Sequence, residues 1–558
     1  MKKFIYIPMV AMALSMQTAC KKDALNKVPQ ELISSETFWT SENETRLALN
    51  GCYSYLSNGY NYVYDDASSD NAYGQYPWES TATAVSAGNI DATIDLGYKS
   101  SYTALRNLNY FLSNVHKVQM DETLKNRFIA EATAIRAFVY FELAKTFGPV
   151  PLLKEAYENP ETVAVAPNPV EEVIAFSLSE LEKAAELLPA NYAGGKNNEK
   201  GRITAGAALA LKSRIELHYS KWAAAAESAK KVMNMDYALF RVSAASPADL
   251  KADYSAFINF ANDAEKQAFY KGLASYEQQF WAVNENSKEV ILSSQNIDNS
   301  SYLYGNGTMT LFSPSALGGW SSVTPTQELV NAYWDRSGKP FTPPTPAQRA
   351  ANYNDGKPNA AYYNEFKDRD TRLYASILFP SNPWESMEPG YKFTWGRGGN
   401  NNSKTGYNFR KLVDPLYSKI EWDGAQDFAI IRYAEVLLNY AEAQNELSGP
   451  DASIYAALND IRDRAGMPEV DQNVYNTKES LRQLIRNERR IELAAEGHRM
   501  ADIRRWNIAK DVMKNTYDLT NSLAQERFWE EKFKLMPYPQ SAVDKNPNLR
   551  AAQAAKGY

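Results

Sequence analysis

Between residues 427 and 506, apolar side chains recur at steps of three and four. Ile430, Ile431, Ala434, Leu437, Leu438 and Ala441 fall on one stripe of a 3.6-residue helix, and Ser448-Gly449-Pro450 closes it. Ile454, Ala457, Leu458, Ile461 and Ala465 repeat the pattern, with Asp451 placed to cap the start and Gly466 and Pro468 to end it. The link between the two is so short that the helices must be antiparallel neighbours. Leu481, Leu484, Ile485, Glu488, Ile491 and Ala495 form a third stripe, capped by Asn476 or Thr477. Alanines facing large apolar residues let such hairpins approach closely, as in tetratricopeptide-type repeats.

The same periodicity predicts helices over 35–56, 101–118, 121–148, 169–188, 204–219 and 222–233, the last two as a hairpin. It fails in two places. Residues 60–98 are rich in Tyr, Asp, Asn, Ser and Gly, show no helical stripe, and are too long for a connector, which marks a functional loop. Residues 237–426 are dominated by Pro, Gly, Asn and aromatics, with VILSSQN as a short strand and 396–406 as a mobile loop. The expected fold is therefore mainly α: a tetratricopeptide-like scaffold of helical hairpins with an irregular, loop-rich insertion carrying a few short strands. The divisions are a signal peptide (1–19), a tether (20–34), an N-terminal helical scaffold (35–236), the insertion (237–426) and C-terminal hairpins with a closing segment (427–558).

Hydrophobic residues make up 44% and charged residues 23% of the 558, ordinary for a globular chain, but 36 Tyr, 22 Phe and 11 Trp exceed what a core alone suggests. The net charge of −6, without a long Lys/Arg run, argues against a nucleic-acid partner. Lys2 and Lys3, the apolar run FIYIPMVAMALSM and then QTAC form an export signal, too short to span a membrane. Cys20 after Ala19 fits a lipoprotein signal, in which the cysteine is acylated and becomes the mature N-terminus. Cys52 is then the one cysteine left and cannot form an internal disulfide.

Catalytic spacings are missing from the sequence. His116, His218 and His498 stand far apart, outside HExxH, and there is no CxxC, GxSxG or GxxxxGK[ST], so neither metal nor cofactor is expected. Glu488 and Glu492 share a helical face, but Arg486, Arg489, Arg490, Arg499, Arg504 and Arg505 crowd them. Such arginines keep carboxylates ionised, which suits ion pairs and not proton donation. An alternative use of Asp65, Asp66 and Asp70 is a Ca²⁺ site, although their spacing is not that of the twelve-residue loop.

Binding is the better-supported chemistry. A Trp or Tyr face stacks on the C–H face of a sugar while nearby Asp, Asn and Arg side chains take the hydroxyls. The two irregular regions supply both kinds of group. Asp65, Asp66, Asp70, Asn71, Tyr73, Tyr76 and Trp78 come from the first; Tyr304, Trp320, Arg372 and Trp395 come from the second. Trp78 and Trp395 lead, since polar or glycine residues flank them, whereas Trp39, Trp222, Trp334 and Trp506 adjoin helical patterns and read as packing.

Four blocks carry a family resemblance. RYAEVLLNYAEAQNEL, LNDIRDRAGMP and IRNERRIELAAEGHRMADIRRW resemble the C-terminal signature of the SusD/RagB family of outer-membrane nutrient-binding lipoproteins of Bacteroidetes. LNKVPQELISSETFWTSENETRLALNGCYSYL resembles the family's opening helix, AEATAIRAFVYFELAKTFGPVPLL its second long helix and Gly-Pro turn, and KLMPYPQSAVDKNPNL its closing segment. The resemblance implies a lipid-anchored protein on the outer membrane, facing the cell surface. It would capture an oligosaccharide or polysaccharide without altering it and pass it to a SusC-type TonB-dependent transporter beneath. It leaves open a peptide cargo, as in the RagB branch. A helical glycoside hydrolase and a ligand-free scaffold are further alternatives.

Overall fold

The computed structural model describes residues 38–56, 58–157, 164–192, 199–297, 306–354, 356–417 and 424–558. The signal peptide, Cys20, the tether and Tyr304 lie outside these residues.

Helix α1 (Glu42–Tyr53) starts with a capping box. The Ser41 side chain accepts from the Glu44 amide, and the Glu44 carboxylate accepts from Ser41 N in return. The scaffold continues through α2 (Gly59–Ala67), α3 (Ala82–Ala87), α4 (Tyr98–Asn114), α5 (Glu122–Phe147), α6 (Val170–Leu187), α7 (Ala205–His218) and α8 (Trp222–Met233). After the middle section, with α9 (Asp263–Gln278), come α10 (Tyr433–Ser448), α11 (Ala452–Arg464), α12 (Lys478–Glu492) and α13 (Arg499–Arg505). Asp451 and Thr477 cap α11 and α12 with their side chains. Pro169 sits at the N-cap of α6, where its missing N–H removes no bond.

Helices α5 to α8 pack in succession, and α8 then lies against α10, so the two sets of hairpins form one continuous array across the intervening 200 or so residues. Arg214 of α7 fastens the junction: its Nε and Nη2 donate to the Glu435 carboxylate at 2.7 and 2.6 Å, and Nη2 also donates to the Ile430 carbonyl at 2.7 Å. Burial alone would raise the Glu435 carboxyl, but Arg214 outweighs it and holds the group down at about 2.

Two expectations about elements change. Phe428–Arg432 is not the start of the helix: it is a strand paired antiparallel with Val290–Ser294, and α10 begins at Tyr433. The run FAIIR is apolar on both faces, so it satisfies a buried strand as well as a helical stripe. Residues 60–98 are not continuous loop, because α2 and α3 lie within them. Tyr60, Val63, Tyr64 and Ala67 of α2 fall at helical spacing opposite exposed Asn61 and Asp65, but nine residues with buried Tyr62 beside them are too short a stripe to stand out among polar neighbours.

Strands are few and short. In chain order β1 (Ala72–Gly74), β2 (Val290–Ser294), β3 (Val323–Pro325), β4 (Ile377–Leu378), β5 (Asn408–Phe409), β6 (Phe428–Arg432), β7 (Thr516–Tyr517) and β8 (Leu523–Gln525) form the two-stranded pairs β1–β3, β2–β6, β4–β5 and β7–β8.

Beneath the middle section lies a buried ionic cluster. Glu492 accepts from Arg372 at 3.2 Å, from Arg432 at 2.8 Å and from Arg464; Glu488 accepts from Arg462 at 2.5 Å and stands 2.8 Å from the Arg372 guanidinium as an ion pair. Lys411 and Arg432 engage Glu496 at 2.6 and 2.7 Å. Glu488 and Glu492 are thus ion-paired, but with arginines of the middle section, β6 and α11, not with their own neighbours on α12. The cluster ties four separate stretches of chain to one point, and burial makes each partner dependent on the others.

Candidate functional site

Strand β1 follows α2 and pairs with β3 in the register Ala72↔Pro325, Tyr73↔Thr324 and Gly74↔Val323, bringing the first irregular region against the second. The pairing continues past the strand. The Gln75 amide donates to the Ser322 carbonyl at 2.9 Å, and Gln75 Nε2 donates to the carbonyls of Trp320 and Ser321, both at 2.9 Å.

Trp78 stands on the turn that follows, with 78% of its surface exposed. Its ring lies 4.9 Å from that of Tyr76, tilted by 31°. Glu79 fixes the far side of the turn: its carbonyl accepts from Tyr60 at 2.6 Å, and its carboxylate accepts from Ser322 Oγ at 3.2 Å and from the Tyr64 hydroxyl. A large aromatic is thereby held out in solvent between two anchored residues, an arrangement that hydrophobic burial alone does not favour.

The loop at 396–402 closes the other side. Tyr76 donates to Asn401 Oδ1 at 2.9 Å, and Ser321 Oγ donates to the Asn401 carbonyl at 3.0 Å. Asn402 Nδ2 donates to the carbonyls of Gly396 and Gly398, each at 2.6 Å. Arg397 reaches Asp518 at 3.2 Å and the hydroxyls of Thr520 and Ser522, linking the loop to the β7–β8 hairpin. The segment expected to be mobile is cross-braced. Through Tyr76 the exposed Trp78 is tied to Asn401 on the loop that carries Arg397, and through Gln75 to the backbone of half-buried Trp320, which makes this turn and loop one rim.

The remaining sequence candidates lie elsewhere. Trp395 is buried, its Nε1 donating to the Ser403 carbonyl at 2.9 Å and its ring 5.8 Å from that of Tyr353. Polar and glycine neighbours signalled an exposed ring, but the chain folds back over it. Arg372 is fully buried in the ionic cluster, with its guanidinium 2.8 Å from Asp370. Asp70 is buried between Arg490 and Arg499, at 2.8 and 2.7 Å, and these arginines overcome its burial to hold its carboxyl at about 2. Asn71 accepts from Arg490 Nε at 2.8 Å.

Asp66 is buried and accepts from the Ala495 amide, and burial pushes it up to about 7. Tyr73 is buried within β1. Asp65 lines a cavity behind the Trp78 turn, where Tyr60 and Tyr64 also reach Glu79. The three aspartates therefore point to three different places and do not converge on a cation. Sequence reasoning missed Gln75, Glu79, Arg397 and Asn401, whose roles depend on partners up to 325 positions away; the Tyr-Pro-Trp turn was the one local signal.

Comparison with known proteins fits this architecture. The SusD family profile matches residues 288–558, and a second, described as "starch-binding associating with outer membrane", matches 29–217. The chain belongs to the SusD/RagB family. A SusD-like protein of Formosa agariphila is 23% identical over 96% of each chain, and one of Bacteroides ovatus is 23% identical over 90% of this chain and 82% of its own. Two crystal structures from Bacteroides fragilis are each 26% identical. A SusD-like protein superposes with a TM-score of 0.77 over 94% of this chain and 99% of its own, and a SusD-like carbohydrate-binding protein with 0.75 over 92% and 100%. As a SusD family member, the chain has the helical, tetratricopeptide-like fold of these neighbours.

Proposed function

We propose that this SusD-family protein is a non-catalytic, lipid-anchored glycan receptor of the outer membrane that binds oligosaccharide or polysaccharide at the Trp78 rim. The observation that carries this reading is Trp78 itself, an exposed indole braced beside Tyr76, whose hydroxyl reaches Asn401 on the loop that carries Arg397. Stacking supplies contact area, while the amide and guanidinium groups give direction to sugar hydroxyls. The carbohydrate-binding B. fragilis neighbour supports the ligand class.

Moderate affinity suffices: dissociation constants from micromolar to millimolar correspond to about 4 to 8 kcal/mol. Release must remain possible if the cargo goes on to a SusC-type TonB-dependent transporter, the partner we assign, and many copies on one surface gain avidity for a polymer. Cys20 is the anchor in this reading, and among the described residues no helix is long and apolar enough to cross a membrane. Glu492 argues against hydrolysis at this cluster, since its arginines outweigh burial and hold its carboxyl at about 2, leaving no proton to donate.

The reading is tested by native affinity electrophoresis of the mature protein across a panel of polysaccharides, with calorimetry against soluble glycans and peptides. Retardation by at least one glycan, with no new reducing ends, is expected. Binding to peptides alone would assign the cargo to the other branch of the family.

A further inference from the structure

Behind the Trp78 turn, but lined by neither Trp78 nor Tyr76, a cavity of about 760 Å³ opens among α2, α5, α13 and the closing segment, within the size range of small-ligand sites. Tyr60, Tyr64, Phe138 and Phe147 give it aromatic wall, and Asp65, Glu142, Lys145, Arg504 and Arg505 give it charge. Most of this charge is already matched. Lys145 pairs with Glu142 at 2.6 Å. Arg505 is held by Glu442 at 2.6 Å and Asp502 at 2.9 Å. His218, pushed down to about 3 by burial, is neutral.

Arg504 differs from its neighbour. Its side chain makes no hydrogen bond or ion pair among the described residues, and Nε and Nη2, the two atoms that grip a carboxylate side by side, are both buried without a partner. A guanidinium does not escape the cost of burial by losing its proton at physiological pH. Asp65, open to solvent, lines the same cavity, yet no hydrogen bond joins it to Arg504, whose electrostatic neighbours are Tyr558 first and Asp65 second. The cavity therefore holds a cation and an anion that face the same space without satisfying each other.

We propose that this cavity is a second binding site, distinct from the Trp78 rim, for a small ligand bearing a carboxylate beside a hydroxyl or ammonium donor. Arg504 holds the carboxylate, Asp65 receives the donor, and Tyr60 and Tyr64 flank the ligand body. A uronic acid and the end of a peptide share this chemistry.

The test is calorimetric titration of the mature protein with glucuronate and with glycylglycine, using glucose as the uncharged control. One carboxylate probe should bind, glucose should not, and the probe that binds names the source. R504Q should weaken that binding at least tenfold and D65N several-fold, while W78A leaves it unchanged, which separates this site from the rim. If neither probe binds the wild type, or folded R504Q binds as well as the wild type, the proposal is wrong. Should R504Q not fold, phenylglyoxal labelling of the wild type decides: protection of Arg504 by the probe is expected, and equal labelling with and without it overturns the assignment.

Discussion

Tyr76 donates its hydroxyl to Oδ1 of Asn401 at 2.9 Å, joining two residues 325 positions apart. That bond, with β1–β3 behind it, sets the exposed Trp78 against the loop at 396–402. The rim is consequently a product of long-range pairing on a helical frame, and its residues separate into those that touch solvent and those that hold the frame.

Trp78 and Trp395 should behave oppositely in unfolding experiments. Trp395→Ala removes a buried ring and its bond to Ser403, and should cost about 3 to 5 kcal/mol. Trp78→Ala removes an exposed ring and should change stability by no more than about 0.5 kcal/mol. Urea denaturation of the two variants checks the contrast.

Glu492 anchors Arg372, Arg432 and Arg464 at once. Glu492→Ala leaves these guanidinium groups in the interior without their shared carboxylate, so a loss of roughly 3 to 5 kcal/mol is expected in the same assay. A loss below about 1 kcal/mol would show that the cluster contributes little.

Stability should have two pH limbs. Glu492, Asp70 and Asp502 are held at about 2 in the folded chain, each because its arginines outweigh burial. Their contribution is complete above the unfolded carboxyl values of roughly 4 and is lost as pH falls from there toward 2. Asp66 is raised by burial to about 7, so the folded chain keeps a proton that the unfolded chain has released, and stability falls as pH rises from about 4 to 7. Buried His218 and His498, pushed down to about 3 and 4, act in the opposite sense over the same range, losing stability as pH falls below about 6.5. The contribution of Asp66 is therefore read as a difference: relative to the wild type in thermal melts, D66N should gain stability as pH rises from about 4 to 7 while keeping the acid limb.

The anchor is testable on whole cells. C20A should lose radiolabelled palmitate and move from the membrane to the soluble fraction, and unchanged labelling would exclude Cys20 as the acylated residue.

The scaffold was legible because helices announce themselves locally: the stripes at 433–448, 452–464 and 478–492, with Asp451 and Thr477 as caps, need no knowledge of distant residues. Phe428–Arg432 shows where that fails, since a run apolar on both faces has no period to read. The rim was legible in part. Trp78 lies in a turn whose exposure follows from Pro77 and the anchored Glu79, but Trp395 sits among equally polar neighbours and is buried by contacts from Tyr353 and Ser403. Arg372, Asp66 and Asp70 have the residue types of a binding site and serve instead to join segments far apart in the chain.

The most direct test of the rim takes a polysaccharide that the wild type retains and measures its dissociation constant for W78A. Loss of one stacked ring, about 0.5 to 1.5 kcal/mol beyond its contact area, predicts weakening of roughly tenfold or more with the melting temperature unchanged. Wild-type affinity in folded W78A would contradict the assignment of this rim as the glycan seat.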